Sequence, residues 1–185
     1  FADRWADVSL RAKITGGTVF ILFLGLIVAG VGTLSVLRPM LMQNQAETLK
    51  QMRNDPTRAL ADNANPQSLT RENVLYANTQ YYVAVVDVDG NLLYDNYSNR
   101  TDAVPPEVPK LPLDWVMEHR QDLFSMSTAE SVEWRGVAAP IMSNGAPSGT
   151  LLIAVSTTGI NQIIAQYVII FTGFGIAVIL LGAAL

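Results

Sequence analysis

Two long apolar runs frame a middle stretch in which apolar and polar residues alternate or recur at short spacing. Ile14 to Leu37 carries no charge over 24 residues, and Gly136 to Leu185 carries none, its last part from Tyr167 onward being almost wholly apolar. A bilayer core about 30 Å thick needs about 20 apolar residues as helix, because no water is present there to satisfy an exposed backbone. The pattern therefore predicts a first transmembrane helix over 14–37 and a second over 160–185. A cleaved signal peptide would want an apolar core of only about 7–15 residues and a small-residue cleavage site. The first run is longer, and Val36-Leu-Arg-Pro-Met40 is a poor place to cut, so it reads as an uncleaved signal anchor.

Orientation follows from the flanks. Arg4, Arg11 and Lys13 precede the first span and Arg38 alone follows it. The bias of basic residues toward the inner face puts residues 1–13 in the cytoplasm and 38–159 outside it. The second span then runs inward and the chain stops as it would emerge, which reads as the front part of a longer protein; the alternative is a small two-span protein. Small residues recur at helical spacing in both spans, Gly25, Ala29 and Thr33 in the first and Gly173 and Ala177 in the second. Such stripes let helix backbones approach closely and are candidate packing faces.

Between the spans the periods change. Arg38-Pro39 closes the first span; Met40 to Asn54 holds helix formers without Gly or Pro after Pro39 and continues it outward, with Leu41, Leu49 and Met52 facing inward. Asp55-Pro56 breaks that helix. A short helix is expected near Thr70 to Asn78, with Thr70 as cap and Asn73 in the first turn. Tyr81 to Val88 is β-branched and aromatic, the composition of a strand buried on at least one face. Asp87, Asp89 and Gly90 make the turn, where glycine supplies a positive φ, and Asn91 to Asp95 returns. Asn96 to Lys110 is polar and proline-rich, a loop. Leu113 to Phe124 sets Leu113, Val116, Met117 and Leu123-Phe124 on one face of an amphipathic helix. Strands are expected over Ser131 to Ile141 and Gly149 to Ser156, joined at Ser143-Asn-Gly145, and Thr157 or Thr158 can cap the second span. The order describes an α+β domain, an antiparallel sheet with helices able to cover one face.

Charge and composition narrow the partners. Only 15% of residues are charged and the net charge is −4, so no basic stripe exists to neutralise phosphates and nucleic acid is not an expected partner. The absence of cysteine removes disulfides, thiolate metal sites and thiol nucleophiles. Asp87, Asp89 and Asn91 resemble the first ligands of an EF-hand-like calcium loop, but Gly90 comes too soon and the closing glutamate is missing, so turn chemistry is the better account. Asn96 and Asn99 head Asn-x-Ser/Thr sequons, which in a bacterial-looking chain arise by chance. No phosphate-binding glycine loop, metal-ligand cluster or nucleophile–base pair is present, so no catalytic residue and no metal or cofactor is assigned to this chain.

The run Tyr82-Val-Ala-Val-Val-Asp87-x-x-Gly90-Asn-Leu-Leu-Tyr94 resembles the first hairpin of extracytoplasmic PAS-like sensor domains, called PDC or Cache domains. Val132 to Pro140 and Gly149 to Ser156 resemble their closing strands. Flanked by two spans, the whole is similar to the N-terminal half of bacterial two-component sensor histidine kinases. The resemblance implies a membrane-embedded homodimer whose outer domain senses a ligand or partner protein and whose second span feeds a HAMP linker and a kinase core. That core would bind ATP and Mg²⁺, autophosphorylate on histidine and pass the phosphoryl group to a response regulator. None of its motifs lies within these residues; His119, in Met117-Glu-His-Arg-Gln-Asp122, lacks the phosphoacceptor context and reads as an ordinary surface or half-buried residue. The same front half occurs in chemoreceptors and diguanylate cyclases, and a two-span interaction protein is the non-signalling alternative. A ligand pocket is expected on an open sheet face, with Tyr82, Tyr94, Trp115 and Trp134 as lining candidates. Relay is expected through a shift between two packings that moves the second span.

Overall fold

The computed structural model describes residues 10–61, 64–65, 68–120 and 122–184. Residues 1–9 of the expected cytoplasmic segment, Arg4 among them, and the final residue of the second span lie outside these. The chain divides into two compact units, one of Met42–Gly159 and one of the described residues up to Leu41 and from Ile160 onward.

Helix α1 runs unbroken over Leu10–Asn54 and contains Pro39 within it. The expected outward continuation past Arg38-Pro39 is thus one helix with the span, although the proline removes one N–H and leaves the Ser35 carbonyl without its helical donor. Helix α4 covers Thr158–Ala184. Both are long and apolar enough to cross a membrane, over Lys13–Asn54 and Thr158–Gly182. Their apolar side chains point outward, with Phe20 65%, Ile169 70% and Leu181 67% exposed, whereas the core helix of a soluble protein would bury them. Several hydroxyls in these helices turn back to backbone carbonyls, Thr18 to Ile14, Thr33 to Ala29 and Thr172 to Val168, which satisfies those donors in an apolar surround.

The Met42–Gly159 unit is built on a five-stranded antiparallel sheet of order β2-β1-β5-β4-β3. Its strands are β1 (Tyr82–Val86), β2 (Leu92–Asp95), β3 (Phe124–Ser127), β4 (Glu133–Ser143) and β5 (Ala146–Ser156). One face packs Val83, Val85, Val137, Leu151 and Ile153 against Leu49 and Met52 of α1, Ala59 and Leu60, and Val74 of the short helix α2 (Arg71–Leu75). The other packs Tyr82, Ala84, Trp134, Leu152 and Ala154 against Tyr97, Leu111 and Val116 of helix α3 (Leu113–Glu118). Both faces are thus covered, not one, and every residue of β1 is buried.

Local chemistry explains the boundaries. Asp55 ends α1 and accepts from Thr57 to start a 3-10 turn over Pro56–Arg58. Thr70 caps α2 in a reciprocal box with Asn73. Between β1 and β2 the Asp87 carboxylate accepts from the Asp89 and Asn91 amides at 3.0 and 2.8 Å and from Asn91 Nδ2 at 3.0 Å. Those bonds, the backbone one from Asn91 foremost, hold its pKa below the ordinary carboxylate value. Asn144 and Gly145, at φ 52° and 80°, form the two-residue β4–β5 turn, the type whose twist matches a hairpin.

Two expectations are corrected. The helix over Leu113 to Phe124 stops at Glu118, where His119 closes it by donating to the Trp115 carbonyl. Phe124 instead opens β3, whose residues alternate half-buried Phe124, exposed Ser125, buried Met126 and exposed Ser127, a two-residue period that the preceding helical spacing hides. Phe124 can cross β4 because its partner is Gly136; a Cβ there would come within 2.8 Å of the ring. At the start of α4 it is Ser156 Oγ that accepts from Thr158 N–H at 3.1 Å. Thr157 instead donates through its hydroxyl and its amide to the Glu133 carbonyl.

Candidate functional site

The sheet face beneath α3 carries an aromatic cluster. Side chains two residues apart on a strand share a face, and the β1–β5–β4 register brings Tyr82 and Trp134 together across Ala154 and Ser156. Tyr82, Tyr97 and Trp134 meet edge to face with centroids 5.5, 6.2 and 5.9 Å apart, the arrangement that sets positive ring edges on negative faces. All three are buried. Tyr82 is therefore a core residue beneath a covered face, and Trp134, also largely buried, borders a cavity at the edge of that face.

The cluster is polarised by Asp95, the last residue of β2 and only 2% exposed. Its Oδ2 accepts from Tyr82 Oη at 2.9 Å, and its Oδ1 accepts from the amides of Tyr97 and Ser98 at 2.9 and 2.6 Å and from Ser98 Oγ at 2.6 Å. Burial, and after it the neighbouring Asp95 charge, pushes the Tyr82 phenol far above its ordinary pKa, so it stays a proton donor to that carboxylate. Asn96 extends the β1–β2 pairing with its side chain, accepting from Val83 N–H at 2.9 Å and donating to the Tyr81 carbonyl at 2.8 Å. Its sequon thus serves a strand end. Outside the cluster Arg100 lies 4.9 Å from the Tyr97 ring and pairs with Asp102 at 2.9 Å.

Trp134 departs from this satisfied pattern. Its Nε1 is buried and has no hydrogen-bond partner, a state that costs free energy comparable to a lost hydrogen bond. The same residue lines a cavity of about 550 Å³ together with Met42, Glu107, Met126, Glu133 and Arg135. The cavity lining mixes apolar Met42, Val108 and Met126 with the charged Glu107, Glu133 and Arg135 and is open to solvent on one side.

The other lining candidates separate. Trp115 is half-buried on the same side as Tyr82 and stacks on His119 with centroids 4.3 Å apart. Tyr94 lies opposite Val85 and packs on the α1 face, so it does not join the other three. Asp87, Asp89 and Gly90 shape a structural turn: Gly90 has φ 84°, and a Cβ there would meet the Leu111 backbone at 2.7 Å. In the unit of the two long apolar helices, α1 and α4 approach at Gly30, beside Phe171, and at Gly175, beside Phe23. Gly25, Ala29, Thr33, Gly173 and Ala177 are exposed instead, with no atom near a Cβ built at either glycine.

Residues that the sequence pattern did not single out complete the picture. Arg135 Nη1 donates to the Met42 carbonyl at 3.2 Å, and Gln45 Nε2 donates to the Ser156 carbonyl at 3.2 Å. These bonds join segments more than 90 positions apart in the chain, which local periodicity cannot reveal. Asp95 and Tyr97 stand on either side of Asn96 at a strand end; the Asn-Tyr-Ser run after the acid reads as loop until the carboxylate is seen turned inward. No protein-family model matches this chain, and no curated protein sequence matches it.

Proposed function

We propose that this chain is the membrane-anchored receiving part of a bacterial two-component sensor histidine kinase, a PAS-like outer domain held between two spans and working as a homodimer. A ligand or a partner protein engages the Trp134 cavity, and the change is passed to the spans; autophosphorylation and transfer to a response regulator belong to a core beyond these residues.

One observation carries this reading. The segments by which the domain joins each apolar helix are bonded to one another, Gln45 of α1 to the carbonyl of Ser156, the last residue of β5, while Arg135 beside the cavity reaches the Met42 carbonyl. Trp134 and Arg135 are adjacent on β4, and Ser156 pairs with Trp134 in the ladder. A group that enters the cavity and takes the unpaired indole N–H acts on the strand that holds both connecting segments. Such a ligand shifts the balance only by the difference in its affinity for the two arrangements, and a buried donor satisfied in one of them supplies that difference.

The topology is testable first. The sequence has no cysteine, so Asn99→Cys, on an exposed loop position, gives a clean label. A membrane-impermeant maleimide is expected to modify it in intact bacterial cells. Protection until the cells are broken would place the domain inside and end the receptor reading.

A further inference from the structure

Two arginines converge on a second cleft that the aromatic site does not explain. It measures about 300 Å³ and is lined by Arg53, Asn54, Arg120 and the β4 segment Ala138, Ala139 and Pro140. The cleft exists because β3 pairs with β4 only up to Gly136, so beyond that residue the outer edge of β4 has no strand beside it. The end of α1 and the chain following α3 flank the gap.

Among the described residues, no carboxylate lines this cleft. Among the described residues the ion pairs are Lys50 with Glu47 and Arg100 with Asp102, and neither Arg53 nor Arg120 takes part. Arg53 stands in the last turn of α1, where a cation complements the helix dipole, yet its Nη1 is buried without a hydrogen-bond partner. Arg120 donates to the Met117 thioether at 3.0 Å, a weak acceptor for a charged donor. A guanidinium does not lose its proton under ordinary conditions. Two permanent charges with spare donors therefore face a small cleft holding no negative group of the described residues.

We propose that this cleft binds a small oxyanion, the carboxylate or phosphate group of a solute, gripped between the Arg53 and Arg120 guanidinium forks. Planar forks match the paired oxygens of such groups, and the buried Nη1 gains the acceptor it lacks. The proposal concerns binding alone and stands apart from any signalling role of the Trp134 cavity.

The test uses the full chain in detergent micelles, observed through arginine Nε–H resonances during titration with inorganic phosphate and, separately, acetate. Sodium chloride at matched ionic strength is the control. Saturable movement of the Arg53 and Arg120 signals with phosphate, acetate or both, absent with chloride, is the expected result and identifies the group recognised. Arg53→Lys and Arg120→Lys, which keep charge and lose the fork, should each weaken binding about tenfold, the scale of one charge-assisted hydrogen bond. Movement identical in chloride, no saturable movement with either anion up to roughly 0.1 M, where screening already acts over about 10 Å, or unchanged affinity in both lysine variants would each overturn the site. The wild-type titration decides even where a variant fails to fold.

Discussion

Asp95 and Trp134 show two opposite treatments of a buried polar side chain. The Asp95 carboxylate receives four hydrogen bonds, and burial of a charge is tolerable on those terms. Removing one donor leaves an acceptor facing apolar surroundings. Tyr82→Phe keeps the ring packing against Tyr97 and Trp134 but strips Oδ2 of its partner, and should destabilise the Met42–Gly159 unit by about 1–3 kcal/mol. Chemical denaturation of the detergent-solubilised chain, followed by tryptophan fluorescence, measures this; a loss below about 0.5 kcal/mol, the level of a neutral surface change, would mean that Oδ2 finds water instead. The Trp134 N–H has no such partner, and it is this donor that the proposed ligand would engage.

At the scale of elements, the hairpin glycines separate conformational strain from crowding. Gly90 and Gly145 share a positive φ, 84° and 80°, so alanine at either meets the left-handed penalty, about 1 kcal/mol. At Gly145 nothing lies near an added Cβ, whereas at Gly90 it would strike the Leu111–Pro112 backbone. Gly90→Ala should therefore lower stability clearly more than Gly145→Ala, and equal losses in parallel denaturation curves would show that the Leu111 segment moves aside freely. The same hairpin shows what was legible beforehand. Turn chemistry at Asp87 to Gly90 and Asn144-Gly145, the Thr70 cap and the α1 extension are local signals, and the elements formed near where the pattern put them. The β3 strand was hidden because Leu123-Phe124 continued a helical apolar face, and the convergence of Arg53 with Arg120 was hidden because it depends on where β3 stops pairing. The separation of Tyr94 from Tyr82 and Trp134 is likewise a matter of register: alternation tells which residues share a face of one strand, and the face across a turn depends on the irregular pairing between Val85 and Val86.

In the proposed relay the signal passes from the Met42–Gly159 unit to the apolar helices through the chain segments that join them. Leu49 and Met52, in the core of that unit, belong to the same helix as Ile14 to Leu37. β5 ends at Ser156 and α4 begins at Thr158, with Thr157 between them buried and tied to the Glu133 carbonyl. A flexible joint at that place would absorb a small displacement, since Gly/Ser linkers behave as random coil, whereas a helix entered directly from a strand carries it onward. Inserting four residues, Gly-Ser-Gly-Ser, between Ser156 and Gly159 should abolish stimulus-dependent output of the intact protein in cells, while tryptophan fluorescence of the purified variant still reports a folded Met42–Gly159 unit. The insertion leaves the cavity lining and the Arg135–Met42 bond in place, so loss of output with a folded domain isolates the connection itself. Full retention of stimulus-dependent output would mean that the signal does not travel through the β5–α4 junction, and the coupling would then have to run along α1 alone.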